Sequence, residues 1–299
     1  MALPFLAVAL LLGGCAPDST DHPPPDGGDP GPEGATSAVQ ERSRVTDQSG
    51  RSLNLDGPPE RIVSLVPSAT GALLELGRGN LIVGRTDYDL DPRLASVPSV
   101  GGGLGPSLEH IITLDPDLVV RFEGVEDRGT PPGLDRAGIP HLAVRPDRVS
   151  DVFDMIRLLG SVTGDRDAAE RLVARLEGGL DDVRRRVGDA PAPRVAFLLG
   201  GDPPWAVTGG TFLHELLEIA GGENVLENAG PRGSPLNISL EAVIRSEPDL
   251  ILAPEGALIP GALSHIPVER VPADVQQPGV GLVRSAEDIS RVLHPERWP

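Results

Sequence analysis

The sequence of 299 residues contains no lysine, because all 26 of its basic residues are arginine. A chain without lysine has no phosphate-binding P-loop, no Schiff-base chemistry and no lysine general base. The 44 acidic residues give a formal net charge of −18. This acidic balance argues against nucleic-acid binding, which needs clustered positive charge. We therefore expect no nucleic acid among the partners of this protein.

Cysteine and aromatic residues are also scarce. Cys15 is the single cysteine, which excludes an intramolecular disulfide and a zinc site built on cysteines. The six histidines form no pair at the spacing of metal ligands. Aromatic residues make up only 3% of the chain, so we treat each one in a predicted loop as a candidate binding residue. The sequence predicts no resident metal and no cofactor.

Long apolar runs are absent, but a short one begins the sequence. Residues 3–12 are apolar, about half of the roughly 20 residues that a membrane-spanning helix needs. The run leads into Gly13, Gly14 and Cys15, a pattern typical of a secretory signal that resembles the bacterial lipobox. We predict a signal peptide over residues 1–14 and lipidation of Cys15. The protein would then be an extracytoplasmic lipoprotein in the periplasm or on the cell surface.

Residues 15–42 are rich in proline, glycine, aspartate, serine and threonine. Such a segment cannot bury enough apolar area to offset the entropy lost on ordering. We therefore predict a disordered tether between the lipidated cysteine and a folded body. The lipid anchor would be the protein's only membrane contact.

The rest of the sequence alternates strand-like apolar runs with helical patterns. Near-continuous apolar strands that alternate with helices are typical of parallel sheets covered on both faces. We therefore predict an α/β fold with two Rossmann-like lobes and a ligand cleft between them, the first over residues 43–149 and the second over 191–299. The candidate strands are residues 61–66, 81–84, 117–122, 141–144, 194–199, 249–253 and 268–271.

Between the lobes, residues 150–190 place apolar side chains at helical spacing on a charged background. This pattern predicts one long helix, or a pair of helices, that bridges the lobes. Gly160 and the pair Thr163 and Gly164 are the expected points of a break or kink.

An internal repeat supports two related lobes. Residues 107–120 and 239–252 are identical at seven of fourteen positions. Each copy predicts a short helix that opens with a serine N-cap and an early glutamate, is stopped by a proline, and leads into a buried strand. Two related lobes that face one another offer a cleft, where small ligands usually bind.

The order of these motifs resembles the substrate-binding proteins of ABC importers for cobalamin and iron–siderophore complexes. The resemblance covers residues 61–295 and rests on residues 61–84, 86–88 and 99–102, both copies of the repeat, and residues 221–224 and 291–295. It implies two Rossmann-like lobes bridged by a rigid helix. It also implies a bulky metal-chelate ligand, such as cobalamin, a related corrinoid or a ferric siderophore, held between the lobes.

The resemblance also implies roles for particular residues. Glu109 and Glu241, at the same position of each repeat, would dock onto arginine pockets of a dimeric permease. The positions that match the family's ligand cleft are Tyr88, Phe122, Trp205 and Asp274. Aromatic faces suit a large macrocycle, because stacking buries area at a small cost in entropy.

Some positions depart from the family pattern. Gly103 and Pro235 stand where the cobalamin-binding members carry tryptophan, and Gln277 stands at a cationic cleft position. An anionic siderophore would require arginine in the cleft. The candidates by position are Arg85, Arg121 and Arg232.

Other functions remain open. A metal-ion or haem-binding lipoprotein is the nearest alternative, with Tyr88 or a histidine as a possible haem ligand. A lipid-anchored hydrolase would need a nucleophile, but the sequence has no Gly-x-Ser-x-Gly motif, and only Asp87 and Asp89 suggest acid–base chemistry. A structural or adhesive lipoprotein is a further alternative. We predict a binding protein that is not an enzyme.

Overall fold

The computed structural model of the protein describes residues 43–124 and 128–298. The predicted signal peptide, Cys15 and the predicted tether lie outside the described residues. Across the described ranges, no helix combines the length and the apolarity that crossing a bilayer requires.

The strands of the described residues form three sheets. In chain order they are β1 (Ser43–Thr46), β2 (Ser52–Leu55), β3 (Ile62–Ser64), β4 (Ile82–Gly84), β5 (Leu118–Phe122), β6 (His141–Val144), β7 (Arg194–Gly201), β8 (Pro204–Ala206), β9 (Glu223–Asn224), β10 (Leu236–Asn237), β11 (Leu250–Pro254) and β12 (Val268–Val271). All seven predicted strands are confirmed.

The α-helices cover the sheets. They are α1 (Pro67–Glu75), α2 (Leu108–Thr113), α3 (Thr130–Ala137), α4 (Val149–Val162), α5 (Arg166–Val187), α6 (Phe212–Ile219), α7 (Leu240–Arg245) and α8 (Leu282–Leu293).

The sheet of the first lobe is parallel throughout, as predicted, with strand order β4-β3-β5-β6. A small antiparallel hairpin, β1-β2, was not predicted. In its turn, the Asp47 carboxylate accepts hydrogen bonds from the backbone N–H groups of Ser49 and Arg51, at 3.0 and 2.9 Å. The same carboxylate accepts the N–H of Ala143 at 3.1 Å, which ties the hairpin to β6.

The sheet of the second lobe combines the predicted parallel strands, β7, β11 and β12, with two antiparallel strands that the sequence did not predict, β8 and β10. Its strand order is β10-β8-β7-β11-β12, with β9 paired to β7. Strands β7, β9, β11 and β12 are parallel, whereas β8 and β10 are antiparallel to their neighbours. The physical reason is the short connection after Gly201, because a hairpin turn can join only antiparallel strands.

The strands distribute their apolar side chains with a period of two. In the first lobe, Val119 packs into a cluster of that lobe alone, while Val120 faces a cluster shared by both lobes. In the second lobe, Ala196 and Phe197 divide in the same way. Helices α4, α5, α6 and α8 contribute to the shared cluster. The two lobes therefore share a continuous hydrophobic core.

The bridging segment is a helix pair. Helix α4 ends before Thr163 and Gly164, and the Asp165 side chain caps α5 by accepting the Ala168 N–H at 3.2 Å. Gly160, however, lies inside α4, so the expected break there was wrong. A Cβ atom at Gly160 would lie 2.3 Å from the Cβ of Ala169, so glycine lets the two helices approach closely.

Glu215 on α6 ties the second lobe to the start of α4. Its carboxylate accepts hydrogen bonds from the Val149 N–H at 2.8 Å and from the Arg148 Nε at 2.7 Å. The backbone N–H of Phe212 also donates to the Asp147 carbonyl at 2.7 Å. A carboxylate at a helix N-terminus satisfies free N–H groups and complements the helix dipole.

The repeat occupies the same place in both lobes. Ser107 caps α2 by accepting the His110 N–H at 3.3 Å, and Ser239 caps α7 by accepting the Ala242 N–H at 3.2 Å. In both copies the residue before the proline has a φ of 47°. The sequence repeat therefore corresponds to a structural repeat.

Candidate functional site

The carboxyl ends of parallel strands meet at one edge of each sheet. The loops after β3, β4 and β5 form this edge in the first lobe, and those after β7, β11 and β12 form it in the second. The two edges meet where Gly279 packs on Ser68: a Cβ at Gly279 would lie 3.3 Å from the Cβ of Ser68. Ligands of α/β proteins bind at such edges.

A cavity of about 170 Å³ lies between the lobes at this place. Pro67 and Ser68 line it from the first lobe, and Asp274 and Gln277 line it from the second. The Asp274 carboxylate is exposed and lies 3.7 Å from the Nη1 of Arg284. Asp274 therefore stands beside the junction of the two carboxyl edges.

Tyr88 lies in the loop after β4, and its side chain is 65% exposed. The neighbouring aspartates hold this loop. The Asp87 carboxylate accepts the Ser99 hydroxyl at 2.6 Å, and buried Asp89 accepts the N–H and hydroxyl of Thr86 at 2.8 and 2.6 Å. These bonds fix the backbone on both sides of Tyr88 while its ring faces solvent. They also give Asp87 and Asp89 a structural role.

Trp205 occupies the matching edge of the second lobe. It is the central residue of β8, pairs with Gly200 of β7 and Asn237 of β10, and is 50% exposed. Its neighbours in the strand, Pro204 and Ala206, are buried. The alternation of side chains along the strand therefore directs the indole outward.

Three exposed leucines at the same edges were missed from the sequence. Leu90 and Leu104 lie in loops of the first lobe, and Leu258 lies in the loop after β11. The Leu258 carbonyl accepts the Gly201 N–H at 3.1 Å, which places this loop beside the turn that precedes Trp205. A leucine in a loop is not by itself a signal, because many loop leucines are buried.

Phe122 is the last residue of β5, half-buried and packed against the shared core. It stands at the carboxyl edge, but much of its ring already contacts protein. Its contribution to a ligand surface is therefore smaller than that of Tyr88 or Trp205.

Gly103 lies against the end of β3. A Cβ at this position would approach the Leu65 carbonyl oxygen to 2.5 Å, so the observed loop accepts only glycine there. The neighbouring Gly102 lies beside the Tyr88 ring, because a Cβ there would be 3.9 Å from the Tyr88 Cε2. The loop that carries Leu104 therefore passes beside the Tyr88 ring.

The three candidate arginines are already engaged. Arg85 donates to the carbonyls of Leu94 and Thr86, at 3.3 and 2.9 Å. Arg121 is buried and donates through Nε to the His141 Nδ1 at 3.0 Å. Arg232 is exposed and forms a 2.7 Å ion pair with Glu227. Its hydrogen bond lowers the pKa of the Glu227 carboxylate.

Metal ligands do not converge in the part of the chain that the structure describes. No group of three or more His, Cys, Asp or Glu side chains there is arranged to hold a metal ion.

Glu109 and Glu241 are both exposed and lie in the first turn of α2 and α7. Hydrogen bonds from its own backbone N–H and from the Ser239 hydroxyl hold the pKa of Glu241 below its ordinary value. The carboxylate of Glu241 is therefore ionised at neutral pH.

Two α/β lobes with a shared core, facing carboxyl edges and exposed aromatic side chains define a two-lobed solute-binding protein. The family model described as "Periplasmic binding protein" matches residues 62–256. The chain belongs to this family, a substrate-binding family of transport systems, and the fold predicted from the sequence is confirmed.

Three known proteins illustrate the similarity. The uncharacterized ABC transporter substrate-binding lipoprotein YvrC of Bacillus subtilis is 25% identical, over 98% of this chain and 96% of that protein. A cobalamin-binding protein of Halobacterium salinarum is 30% identical, over 69% of this chain and 57% of that protein. The apo structure of the periplasmic heme-binding protein RhuT from Roseiflexus sp. RS-1 superposes with a TM-score of 0.67 at 26% identity, covering 80% of this chain and 99% of that chain.

Proposed function

We propose that this protein is the lipid-anchored substrate-binding component of an ABC importer and that it carries a flat metal-chelate macrocycle of the corrinoid or haem class. One observation supports the proposal: each lobe exposes one aromatic ring near the carboxyl ends of its parallel strands, Tyr88 in the first lobe and Trp205 in the second. Leu90, Leu104 and Leu258 are also exposed, in loops at these edges.

Exposed side chains of this kind suit a large ligand with apolar faces. Aromatic rings bury a large area with few rotatable bonds, so little entropy is lost when they contact a macrocycle. The hydrogen bonds that hold the Tyr88 loop reduce this loss further, because the loop is already ordered before the ligand arrives. Asp274 and Gln277 would supply polar contacts at the junction of the lobes.

The charges at the site disfavour a strongly anionic ferric siderophore. Arg85 and Arg121 donate to protein carbonyls and to a histidine, and Arg232 pairs with Glu227. An anionic ligand would have to break these bonds, whereas a neutral or weakly charged macrocycle would leave them intact.

Haem is a second candidate within this class. Tyr88 is the chain's single tyrosine, it is exposed, and tyrosine is a known axial ligand of haem iron. The similarity to a haem-binding protein of known structure also favours this ligand.

Delivery of the ligand to the permease would use one glutamate on each of the helices α2 and α7. Glu109 on α2 and Glu241 on α7 occupy equivalent positions, so a pseudo-symmetric protein can align its two lobes with a two-fold symmetric permease. Cys15 would be lipidated, in line with the lipoprotein relative, and would hold the protein at the membrane surface.

A titration tests the ligand. The probes are cyanocobalamin, cobinamide, haemin and a ferric catecholate siderophore, and the readout is the quenching of Trp205 fluorescence. The protein has two tryptophans, and the Trp298→Phe variant leaves Trp205 as the one that fluoresces. Trp298 lies away from the proposed site, with Arg186 of α5 and Arg291 of α8 over its ring. We expect saturable quenching by at least one of the macrocycles and none by the siderophore.

Two variants test the residues. Trp205→Ala should weaken macrocycle binding about tenfold or more, since it removes one stacking ring. This variant has no tryptophan in the cleft, so its affinity is measured by calorimetry. Tyr88→Phe should abolish a tyrosinate–haem absorption band while sparing corrinoid binding. Binding of the siderophore alone, or of no probe, would contradict the proposed ligand class.

A further inference from the structure

Seven large hydrophobic side chains are exposed in the described residues. Five of them lie at the carboxyl edges described above. The remaining two are Ile112, which is 51% exposed, and Ile244, which is 42% exposed. The ligand site does not account for these two.

The two isoleucines are equivalent positions of the internal repeat. Each lies three residues after the docking glutamate, in α2 after Glu109 and in α7 after Glu241. Residues three apart in a helix lie on the same face. Each lobe therefore presents a carboxylate and an isoleucine side by side on one helix face.

The interior does not require isoleucine at these positions. Within the described residues, the preceding residues, Ile111 and Val243, are fully buried and attach each helix to its own lobe. Ile112 and Ile244, in contrast, each keep about half of their surface exposed. Because the exposed part of each isoleucine contributes nothing to folding, an isoleucine at the same exposed position of both lobes points to a contact outside the chain.

We infer that Ile112 and Ile244 are apolar anchors of a two-point docking surface, and that its partner is the two-fold symmetric permease on which the proposed function rests. Each permease subunit would present a cationic side chain for the glutamate and an apolar patch for the isoleucine. Charge complementarity selects this partner over a second copy of the chain, because Glu109 and Glu241 would repel the same residues of a copy. The anchors supply affinity, whereas the carboxylates supply alignment and association rate.

The test compares two double variants of the full chain. Ile112→Ala with Ile244→Ala removes the anchors and does not weaken the helices, because alanine has a higher helix propensity than isoleucine. Glu109→Gln with Glu241→Gln removes the charges. The control, His110→Ala, gives α2 the residue that α7 carries at the same position and changes a side chain about 100° around the helix from Glu109. Binding to the partner permease in nanodiscs is measured at roughly 0.1 M and roughly 1 M NaCl.

We expect the isoleucine variant to bind the permease about tenfold more weakly at both salt concentrations, because burial of apolar area is not screened. The glutamine variant should be weaker mainly at low salt, and the control should match the wild type. All variants should bind cyanocobalamin or haemin as the wild type does.

Equal permease binding by the isoleucine variant and the wild type would overturn this inference and leave the proposed function standing. Failure of the wild type to bind any permease would overturn the proposed function itself. A wild type that sediments as a dimer, with a monomeric isoleucine variant, would assign the surface to self-association and overturn the choice of partner.

Discussion

Arg61 and Arg194 perform the same task in the two lobes. Arg61 donates to the carbonyls of Asp115 and Leu114 at the end of α2, at 2.9 and 2.6 Å. Arg194 donates to the equivalent carbonyls at the end of α7, at 3.2 and 2.7 Å. Both arginines therefore donate to helix-end carbonyls that have no partner within the helix.

The backbone N–H groups of the same two arginines also make equivalent hydrogen bonds in the two lobes. That of Arg61 donates to Asp117, and that of Arg194 donates to Asp249, so the equivalent turn in each copy of the repeat is joined to the neighbouring strand. We expect Arg61→Gln and Arg194→Gln each to lower the free energy of unfolding by about 1 kcal/mol, because each loses two hydrogen bonds to helix-end carbonyls. Arg194→Gln also loses an exposed 3.0 Å ion pair with Glu223, and an exposed pair of this kind contributes little to stability. Urea denaturation measures the effect. Losses that differ severalfold between the lobes would contradict equivalent roles.

The contact between α4 and α5 should not tolerate a side chain at Gly160. Gly160→Ala places a methyl group 2.3 Å from the Ala169 Cβ, and we expect a loss of about 1–3 kcal/mol of stability from overpacking. Adding Ala169→Gly should restore part of this loss. Thermal unfolding of the single and double variants measures both effects.

Gly178 provides the matched control for this experiment. It lies in α5, and an added Cβ would meet nothing within 4 Å. Gly178→Ala should therefore stabilise the protein by about 0.5–1 kcal/mol through helix propensity alone. Destabilisation by both alanine variants would argue against a steric effect specific to Gly160.

The stability of the first lobe should depend on pH through His141. Burial, the charge of Arg51 and the charge of Arg121 lower the pKa of His141, although Asp135 opposes them with a hydrogen bond. Below a pH of about 6.5, the ordinary histidine value, the unfolded chain binds a proton that the folded chain does not. The free energy of unfolding should therefore fall as the pH drops from about 7 to about 5.

His141→Gln should remove this part of the pH dependence, while His265→Gln, at an exposed histidine, should retain it. Denaturation curves at several pH values supply the measurement. Identical slopes for the wild type and His141→Gln would show that His141 does not couple to folding.

The glycine loop beside Tyr88 should be sensitive to a single methyl group. Gly103→Ala brings a Cβ to 2.5 Å from the Leu65 carbonyl oxygen, so the loop must move away from β3. We expect macrocycle affinity to fall about tenfold, because the displaced loop no longer supports the Tyr88 ring. Gly261→Ala, at a glycine with open space around it, is the control for calorimetric titration.

The positions of seven strands, the helix pair and the repeat were predictable from the sequence. These features depend on local patterns: near-continuous apolar runs such as the one that contains Val119 and Val120, and an apolar period near 3.6 in α4 and α5. The hairpin β1-β2 and strands β8 and β10 were not predictable. Short, partly exposed strands carry a weak pattern, and their pairing is decided by the strands beside them.

The candidate site was predictable only in part. Resemblance to a family selected Tyr88 and Trp205, and loop position made their exposure plausible. The sequence could not separate these from Phe122, because burial depends on which helices cover the end of a strand. Nor could it place Arg121, whose guanidinium is engaged by a histidine twenty residues away.

The sequence alone determined that this chain folds as two related α/β lobes, because apolar periodicity, helix caps and the duplicated segment are encoded locally. Only the tertiary structure decided which side chains remain free to meet a ligand or a partner. That distinction depends on contacts between residues far apart in the chain, such as Gly103 with Leu65 and Glu215 with Val149.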